Sequence, residues 1–454
     1  MKVCEALLAV LGLLVASLAV GCESRPAPAP GAEVRWFEPS AKAEPAPTTA
    51  EARPTPAAEA LREPGHRGQT GTGGVVWFVP GQKAEEPPPA QPAPAPARPH
   101  YPTGPITSAS RRVAAGGTTF RVETIDIPLG SATLKVALAN GRVGCTESLE
   151  AMATRHGAVA AINGSFFDAY STRSVRNPYG TLITNGQVVH LSDHPTALGD
   201  FADGTIAIGQ VKLGIAGGLD GSEHYPDNWY AYGVNDYPEG PNWAEVYTPL
   251  YGSRTIPDGG HHVVVRNGAV VSVGAGPTAI PADGFVLRLS GGEAYLRDRF
   301  QPGRQCAFRF TVKSAQPALD WLSAREALGC GPLLVRDGSV AVDSPAEGFR
   351  DPKVLSGSCA RSAVGLTGAG HLVLATCPGA TIRQLAEVMK ALGCRHAMNL
   401  DGGASSGLWL RGRYVTRPGR DISNALLVKP VGAHPETGTS AALEGCATGV
   451  RIGS

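Results

Sequence analysis

One stretch concentrates groups able to do chemistry: Met398-Asn399-Leu400-Asp401-Gly402-Gly403-Ala404-Ser405-Ser406-Gly407. An apolar run ends there in a turn that offers a carboxylate, an amide, two hydroxyls and a pair of glycines. Those glycines let the backbone take positive φ or approach a ligand closely, and Asp401, Asn399, Ser405 and Ser406 supply acceptors and donors. The plainer reading is a hairpin connection whose Asp and Ser residues close an Asx turn. Gly403-Ala404-Ser405-Ser406-Gly407 also has the Gly-x-Ser-x-Gly form of a nucleophile elbow. An elbow needs a helix after its serine, whereas this chain continues as a strand pair.

Two further points carry polar chemistry. The short apolar run 158–162 delivers Asn163-Gly164-Ser165-Phe166-Phe167-Asp168, a strand end whose Asn could face a ligand or cap the strand. Arg361 stands at a strand entrance, where its planar fork could grip a phosphate or make a surface ion pair.

Flanking elements must position these groups. Thr381-Ile382-Arg383-Gln384 has the form of a capping box. Ile382, Leu385, Ala386, Met389 and Leu392 follow at helical spacing, and Gly393 suits a left-handed helix end. A strand at 396–400 then leads into the Asp401 turn, and Leu408, Leu410, Tyr414 and Val415 flank Arg411-Gly412-Arg413 as a hairpin. Asn185-Gly186, Asn267-Gly268 and Asp337-Gly338 mark three more hairpins. Residues 146–156 read as a helix begun by Thr146, and 321–328 as another. The aromatic run 224–254, with Tyr225, Trp229, Tyr230, Tyr232 and Trp243, suits either sugar stacking or an ordered surface loop.

The ends of the chain differ from this body. Residues 6–20 are apolar but short for a membrane span, and Leu18-Ala19-Val20-Gly21-Cys22 resembles a lipobox. Residues 1–22 therefore read as a signal peptide with Cys22 as the lipidation site, so the membrane is an expected partner through a lipid anchor. Residues 23–110, rich in Pro, Ala and Glu, read as a disordered tether. Inside it Trp36-Phe37-Glu38-Pro39 is echoed by Trp77-Phe78-Val79-Pro80. Residues 111–430 form the expected domain, and 431–454 a tail.

A net charge of +1 without basic clusters argues against nucleic acid as a partner. Fifty-eight glycines fit an α+β class: a mixed, strand-rich body with a few short helices. Scattered histidines and the absence of Cys-x-x-Cys give little support to zinc. Export makes disulfides plausible, with Cys377–Cys394 and Cys330–Cys359 as the expected pairs.

Taken together, Ala161-Ile162-Asn163-Gly164-Ser165-Phe166-Phe167, Tyr247-Thr248-Pro249, Gly331-Pro332-Leu333-Leu334-Val335-Arg336-Asp337-Gly338, Arg361-Ser362-Ala363-Val364-Gly365, Asn399-Leu400-Asp401-Gly402-Gly403 and Ile422-Ser423-Asn424-Ala425-Leu426 resemble one family in motif order. It is the phosphodiester glycosidase family, related to N-acetylglucosamine-1-phosphodiester α-N-acetylglucosaminidase. The resemblance runs over about residues 120–429 and implies hydrolysis of a sugar-1-phosphate diester to free sugar and phosphomonoester. Ser165 and Cys330 stand where glycine is common, Ser362 where threonine is common, and Ala404 where a third glycine is usual. These departures bear on substrate choice more than on fold.

Breaking an anomeric C–O bond builds oxocarbenium character, so a carboxylate near C1 is useful, and Asp401 is the first candidate. The leaving phosphate needs cationic or hydrogen-bond stabilisation, assigned to Arg361. Asp168 is the preferred second carboxylate, ahead of Asp337 and Glu293. Asn163, Gly164, Asn399, Gly402, Gly403, Ser405, Ser406 and Asn424 are the expected substrate-binding set. Asp401 could instead hold a calcium or magnesium ion through oxygen ligands. The expected function is hydrolysis of glycosyl phosphodiesters in an envelope or extracellular glycopolymer. The alternatives are a non-catalytic glycan-binding lipoprotein and a phosphoryl-transfer enzyme on the same scaffold.

Overall fold

The computed structural model describes residues 99–431 apart from 239, 257–258 and 318. The signal segment with Cys22, the paired Trp-Phe repeats and the 432–454 tail lie outside the described residues. The folded body begins earlier than residue 111. The Tyr101 hydroxyl accepts from the Ile206 amide at 2.9 Å, and the first strand is Thr107–Ala115.

Strands dominate, as composition implied, with three α-helices among the described residues. The first sheet runs in the order Thr107–Ala115, Thr118–Pro128, His371–Ala380, Cys359–Thr367, Cys394–Leu400, Leu333–Arg336 and Ser339–Val340. The second runs Arg413–Thr416, Leu408–Leu410, Ala160–Asn163, Asn424–Pro430 and Ala132–Leu138. A third is built around Ile206–Leu219, and a fourth around Gly284–Ser290. Alternating apolar residues of the first three sheets, among them Ile125, Leu374, Met398, Ile162, Leu426 and Leu198, share one core. A second core, with Trp229, Phe285, Phe308 and Trp321, joins the third sheet to the fourth.

Helix Ile382–Ala391 forms as expected. Its Thr381–Gln384 capping box is complete, and it lays Ile382, Leu385, Ala386, Val388 and Met389 on the first sheet. Helix Leu149–Arg155 starts later than the sequence implied, because the Ser148 side chain, not Thr146, accepts the Ala151 amide. It covers the second sheet's other face with Leu149, Met152 and Ala153. Each Asn-Gly or Asp-Gly hairpin, and Arg411-Gly412, has both residues at positive φ.

Residues 321–328 are not a helix. A short 3-10 turn, Trp321–Ser323, leads into strand Ala324–Gly329, which is hydrogen-bonded to strands on both sides. Glu326 is buried there and accepts from the Val136 amide at 2.8 Å and Lys135 Nζ at 3.0 Å. Sheet pairing on both edges outweighs the local helical spacing.

Cys330, Cys359, Cys377 and Cys394 are free thiols, so neither expected disulfide forms. Cys377 and Cys394 lie on strands separated by Cys359–Thr367, about two strand spacings or roughly 10 Å apart. That exceeds the reach of a disulfide. Cys145 is disulfide-bonded.

Candidate active site

The Asp401 turn is the point where the chain leaves one sheet and enters another. Cys394–Leu400 belongs to the first sheet and Leu408–Leu410 to the second, so residues 401–407 bridge them. The end of Ala160–Asn163 meets the same point. Asp401 N donates to Gly164 O at 3.0 Å, and Asn163 Nδ2 donates to Asp401 O at 2.7 Å. Asn163 Oδ1 accepts from Ser362 Oγ at 2.7 Å and from Gly407 N at 3.0 Å. One side chain thus ties together both sheets and both ends of the turn. Asn163 is fully buried, so it braces the site from behind and its amide is spent on protein.

Other members of the expected binding set share this bracing role. Asn424 Oδ1 accepts from Ser165 N at 2.8 Å and its Nδ2 donates to the Ser165 and Ser423 hydroxyls. It packs so closely on Gly164 that a Cβ there would lie 1.9 Å from Asn424 Oδ1. Asn399 Nδ2 donates to Gly331 O at 2.8 Å, while its Oδ1 is buried with no partner. Ser405 and Ser406 are buried too, and Ser406 Oγ has no partner. What remains open to solvent on the turn is Ala404, exposed, and Asp401, Gly402 and Gly403, each partly so. Gly402 passes so near the first sheet that a Cβ would lie 2.7 Å from Ala360 O.

Asp401 is crowded by protein on nearly every side, yet part of its surface reaches solvent. Burial pushes its carboxyl up from 3.8 to about 6. The Ser405 hydroxyl, the Gly402 amide at 2.8 Å and the charges of Arg420 and Arg361 pull the other way. A carboxylate poised near neutrality and acted on by two positive charges suits acid–base or charge-stabilising work.

Arg361 is buried at 2% exposure on Cys359–Thr367, and burial lowers its pKa. Its Nε donates to Ala380 O at 3.0 Å, and Nη2 donates to Lys353 O at 2.6 Å and Gly357 O at 2.7 Å. The expected two-pronged grip on phosphate is therefore corrected. The Nε–Nη2 edge holds the end of helix Pro352–Leu355, leaving Nη1 and the net charge to act on the site. Arg361→Lys is expected to lower kcat and cost about 3 kcal/mol, because one ammonium nitrogen cannot replace Nε and Nη2 in their bonds to three separate carbonyls. Chemical denaturation beside steady-state rates checks this.

Asp168 caps a local turn, accepting from Ser171 N at 3.1 Å. Asp337 is exposed at its hairpin tip, 3.6 Å from Arg395. Glu293 accepts the Tyr230 and Tyr232 hydroxyls, each at 2.6 Å. Arg420 was missed by sequence reasoning. Its guanidinium lies over the Tyr170 ring at 4.6 Å while its charge acts on Asp401. The one available signal was its place just before Ile422-Ser423-Asn424. Ser405 lies in a 3-10 turn followed by strand Leu408–Leu410, so the nucleophile elbow is absent.

The arrangement of the turn is matched by sequence. Residues 259–429 match the phosphodiester glycosidase family. Asp401, Arg361 and Arg420 fall inside that phosphodiester glycosidase segment, whereas Asn163, Gly164 and Asp168 precede it and join it only through the fold. A hypothetical protein from Synechocystis shares the fold, with a TM-score of 0.62 and 22% identity over 72% of this chain. This chain spans 64% of that protein's length. A Burkholderia pseudomallei protein whose name proposes export aligns with a TM-score of 0.57 and 21% identity, over 69% of this chain and 74% of its own. The zebrafish N-acetylglucosamine-1-phosphodiester α-N-acetylglucosaminidase catalytic domain, auto-inhibited by its pro-peptide, aligns at a TM-score of 0.39 and 16% identity, over 75% and 86%. The likeness of fold rests on the first two. No curated protein matches the chain in sequence.

Proposed function

We propose that this protein hydrolyses the bond between an anomeric carbon and a phosphodiester oxygen, releasing free sugar and a phosphomonoester. The observation that carries this reading is Asp401 on its glycine turn, partly open to solvent, with burial pushing its carboxyl up to about 6 and the charges of Arg420 and Arg361 acting on it. As the C1–O bond lengthens, positive charge grows on the ring and negative charge on the departing phosphate. The Asp401 carboxylate offsets the first, and the charges of Arg420 and Arg361 favour the second. The leaving group is a weak base, so no strong acid is required of the protein. Water then completes the substitution at C1.

Asp401 does not offer a good seat for a divalent cation. Its oxygens already accept from Gly402 and Ser405 beside two positive charges, and no cluster of three acidic, His or Cys ligands occurs among the described residues. Hydrolysis is accordingly expected to continue unchanged in excess chelator, and chelator-dependent loss restored by calcium or magnesium would overturn the assignment. The direct test is a panel of methyl-phospho-glycosides incubated with the full chain. Free sugar supports the reading, and sugar phosphate would show phosphoryl transfer instead.

The leader and lipobox, and the name of the Burkholderia neighbour, support export and an envelope location. Among the described residues no helix is long and apolar enough to cross a membrane. A glycan-binding reading draws on one separate observation. Tyr225 and Tyr295, at 81% and 56% exposure, flank Arg299, and Tyr230 and Tyr232 stand nearby with their hydroxyls held by Glu293. Such pinned rings could receive a sugar chain without cutting it.

A further inference from the structure

A row of exposed rings stands on the third and fourth sheets, not on the two that meet at Asp401. Strand Trp229–Ala231 buries Trp229 against Phe285, Phe300 and Phe308, and buries Ala231 as well. Alternation along the strand and just past it therefore turns Tyr230 and Tyr232 outward. Glu293, buried in the segment Gly291–Arg299, accepts both of their hydroxyls and fixes the two rings. The same segment presents Tyr295 outward, with its hydroxyl close enough to interact with that of Tyr230.

The row continues at both ends. Tyr230 and Tyr232 have ring centroids 5.6 Å apart, and Trp243 follows at 4.9 Å from Tyr232. Four residues after Tyr295, the Arg299 guanidinium lies 5.7 Å from the Tyr295 ring and 5.5 Å from that of Tyr225. The apolar surface is thus made of phenols and an indole, each a flat apolar face with a polar edge. Such faces stack on the C–H face of a sugar ring, and the phenolic oxygens that donate to Glu293 can still accept from sugar hydroxyls.

Arg299 adds selection by charge. Its Nη1 donates to Asn228 O and, at 3.1 Å, to Asn228 Oδ1, and the side chain forms no ion pair among the described residues. Asp227 accepts from Arg304 at 2.6 Å and Asp298 from Arg297 at 3.2 Å, while Glu293 serves the two phenols. The guanidinium keeps its Nε and Nη2 donors for an acidic group of matching planar geometry, and the rings beside it favour a cation there.

We propose that Tyr225, Tyr295 and Arg299, continued by Tyr230, Tyr232 and Trp243, form a second carbohydrate site that holds an acidic glycan chain. Sugar rings stack on the tyrosines, and a phosphate or carboxylate of the chain sits on Arg299. The site anchors the polymer whose bond Asp401 cuts. That anchoring role rests on the hydrolytic reading, whereas the test of binding needs no turnover.

The full chain carrying Asp401→Asn is run through native gels containing phosphomannan, polygalacturonate or neutral dextran. Its mobility is expected to fall in at least one acidic gel and to stay unchanged in dextran, with the retardation shrinking as salt is added. The two acidic gels tell phosphate from carboxylate. Tyr225→Ala with Tyr295→Ala is expected to weaken the binding about tenfold, and Arg299→Gln to remove the preference for acidic chains. Unchanged mobility in both acidic gels, equal retardation in dextran, or retardation that survives the tyrosine substitutions would overturn the proposal. Self-association of the protein that the same substitutions abolish would overturn it too, by showing a second copy seated on the rings. Both tyrosines are exposed, so their replacement spares the core and an Arg299 variant that misfolds leaves the question decidable. Retardation without sugar release by the unsubstituted enzyme would sink the hydrolytic reading alone, and sugar release without retardation would sink this site alone.

Discussion

Asp401→Asn is expected to lower release of free sugar by about 10²–10⁴-fold while leaving the fold intact. The amide keeps the size of the carboxyl and can still accept from Gly402 N and Ser405, but it carries no charge to set against a developing oxocarbenium. The pH dependence follows with a definite sign. Activity depends on the ionised form, so kcat/KM should fall as pH drops through about 6, and not near the ordinary 3.8.

Stability should move the opposite way. A carboxyl whose folded pKa is raised favours the folded state at low pH, and that contribution is lost as pH rises from 3.8 to about 6. At about 1.36 kcal/mol per pH unit the full difference is about 3 kcal/mol, and about 1–2 kcal/mol once the solvent-facing part of Asp401 is allowed for. Above pH 7, Asp401→Asn should therefore unfold at a higher temperature than wild type. A variant that loses activity and stability together would show Asp401 to be a structural residue.

Asn163→Ala should do the reverse, losing both. Three hydrogen bonds disappear from a fully buried position, leaving Asp401 O, Gly407 N and the Ser362 hydroxyl without their partner. At about 1 kcal/mol for each bond and more for groups left unsatisfied, about 3–5 kcal/mol of stability should go. Because Asn163 positions Asp401 through its carbonyl, kcat should fall further than substrate affinity does. Denaturant titration and steady-state kinetics on the same preparation separate the two effects. An unchanged kcat in a destabilised variant would mean that the Asp401 turn holds its shape without this brace.

The features legible in the sequence are those that physics settles within a few residues. The Thr381 capping box, the helix it starts, and the Asn-Gly and Asp-Gly hairpins all depend on neighbouring donors, acceptors and positive φ. The density of polar groups after an apolar strand was enough to single out Asp401, and motif order was enough to suggest a family. Where spacing alone was used across longer spans it misled. Residues 321–328 became a strand because partners on both edges bid for their backbone, and the cysteines expected to pair lie on strands with another between them.

Residue types and short-range order in this chain determine a strand-rich α+β body, its hairpins, and a carboxylate on a glycine turn. Only tertiary structure decides what those residues do. Asn163 reaches Asp401 across 238 positions and turns a candidate ligand contact into a brace. Arg361 spends three donors on backbone carbonyls, and Arg420 adds an unforeseen charge acting on Asp401. The reason is physical: burial and long-range pairing set both the pKa of a carboxyl and the partners of a guanidinium, and neither is a property of local sequence.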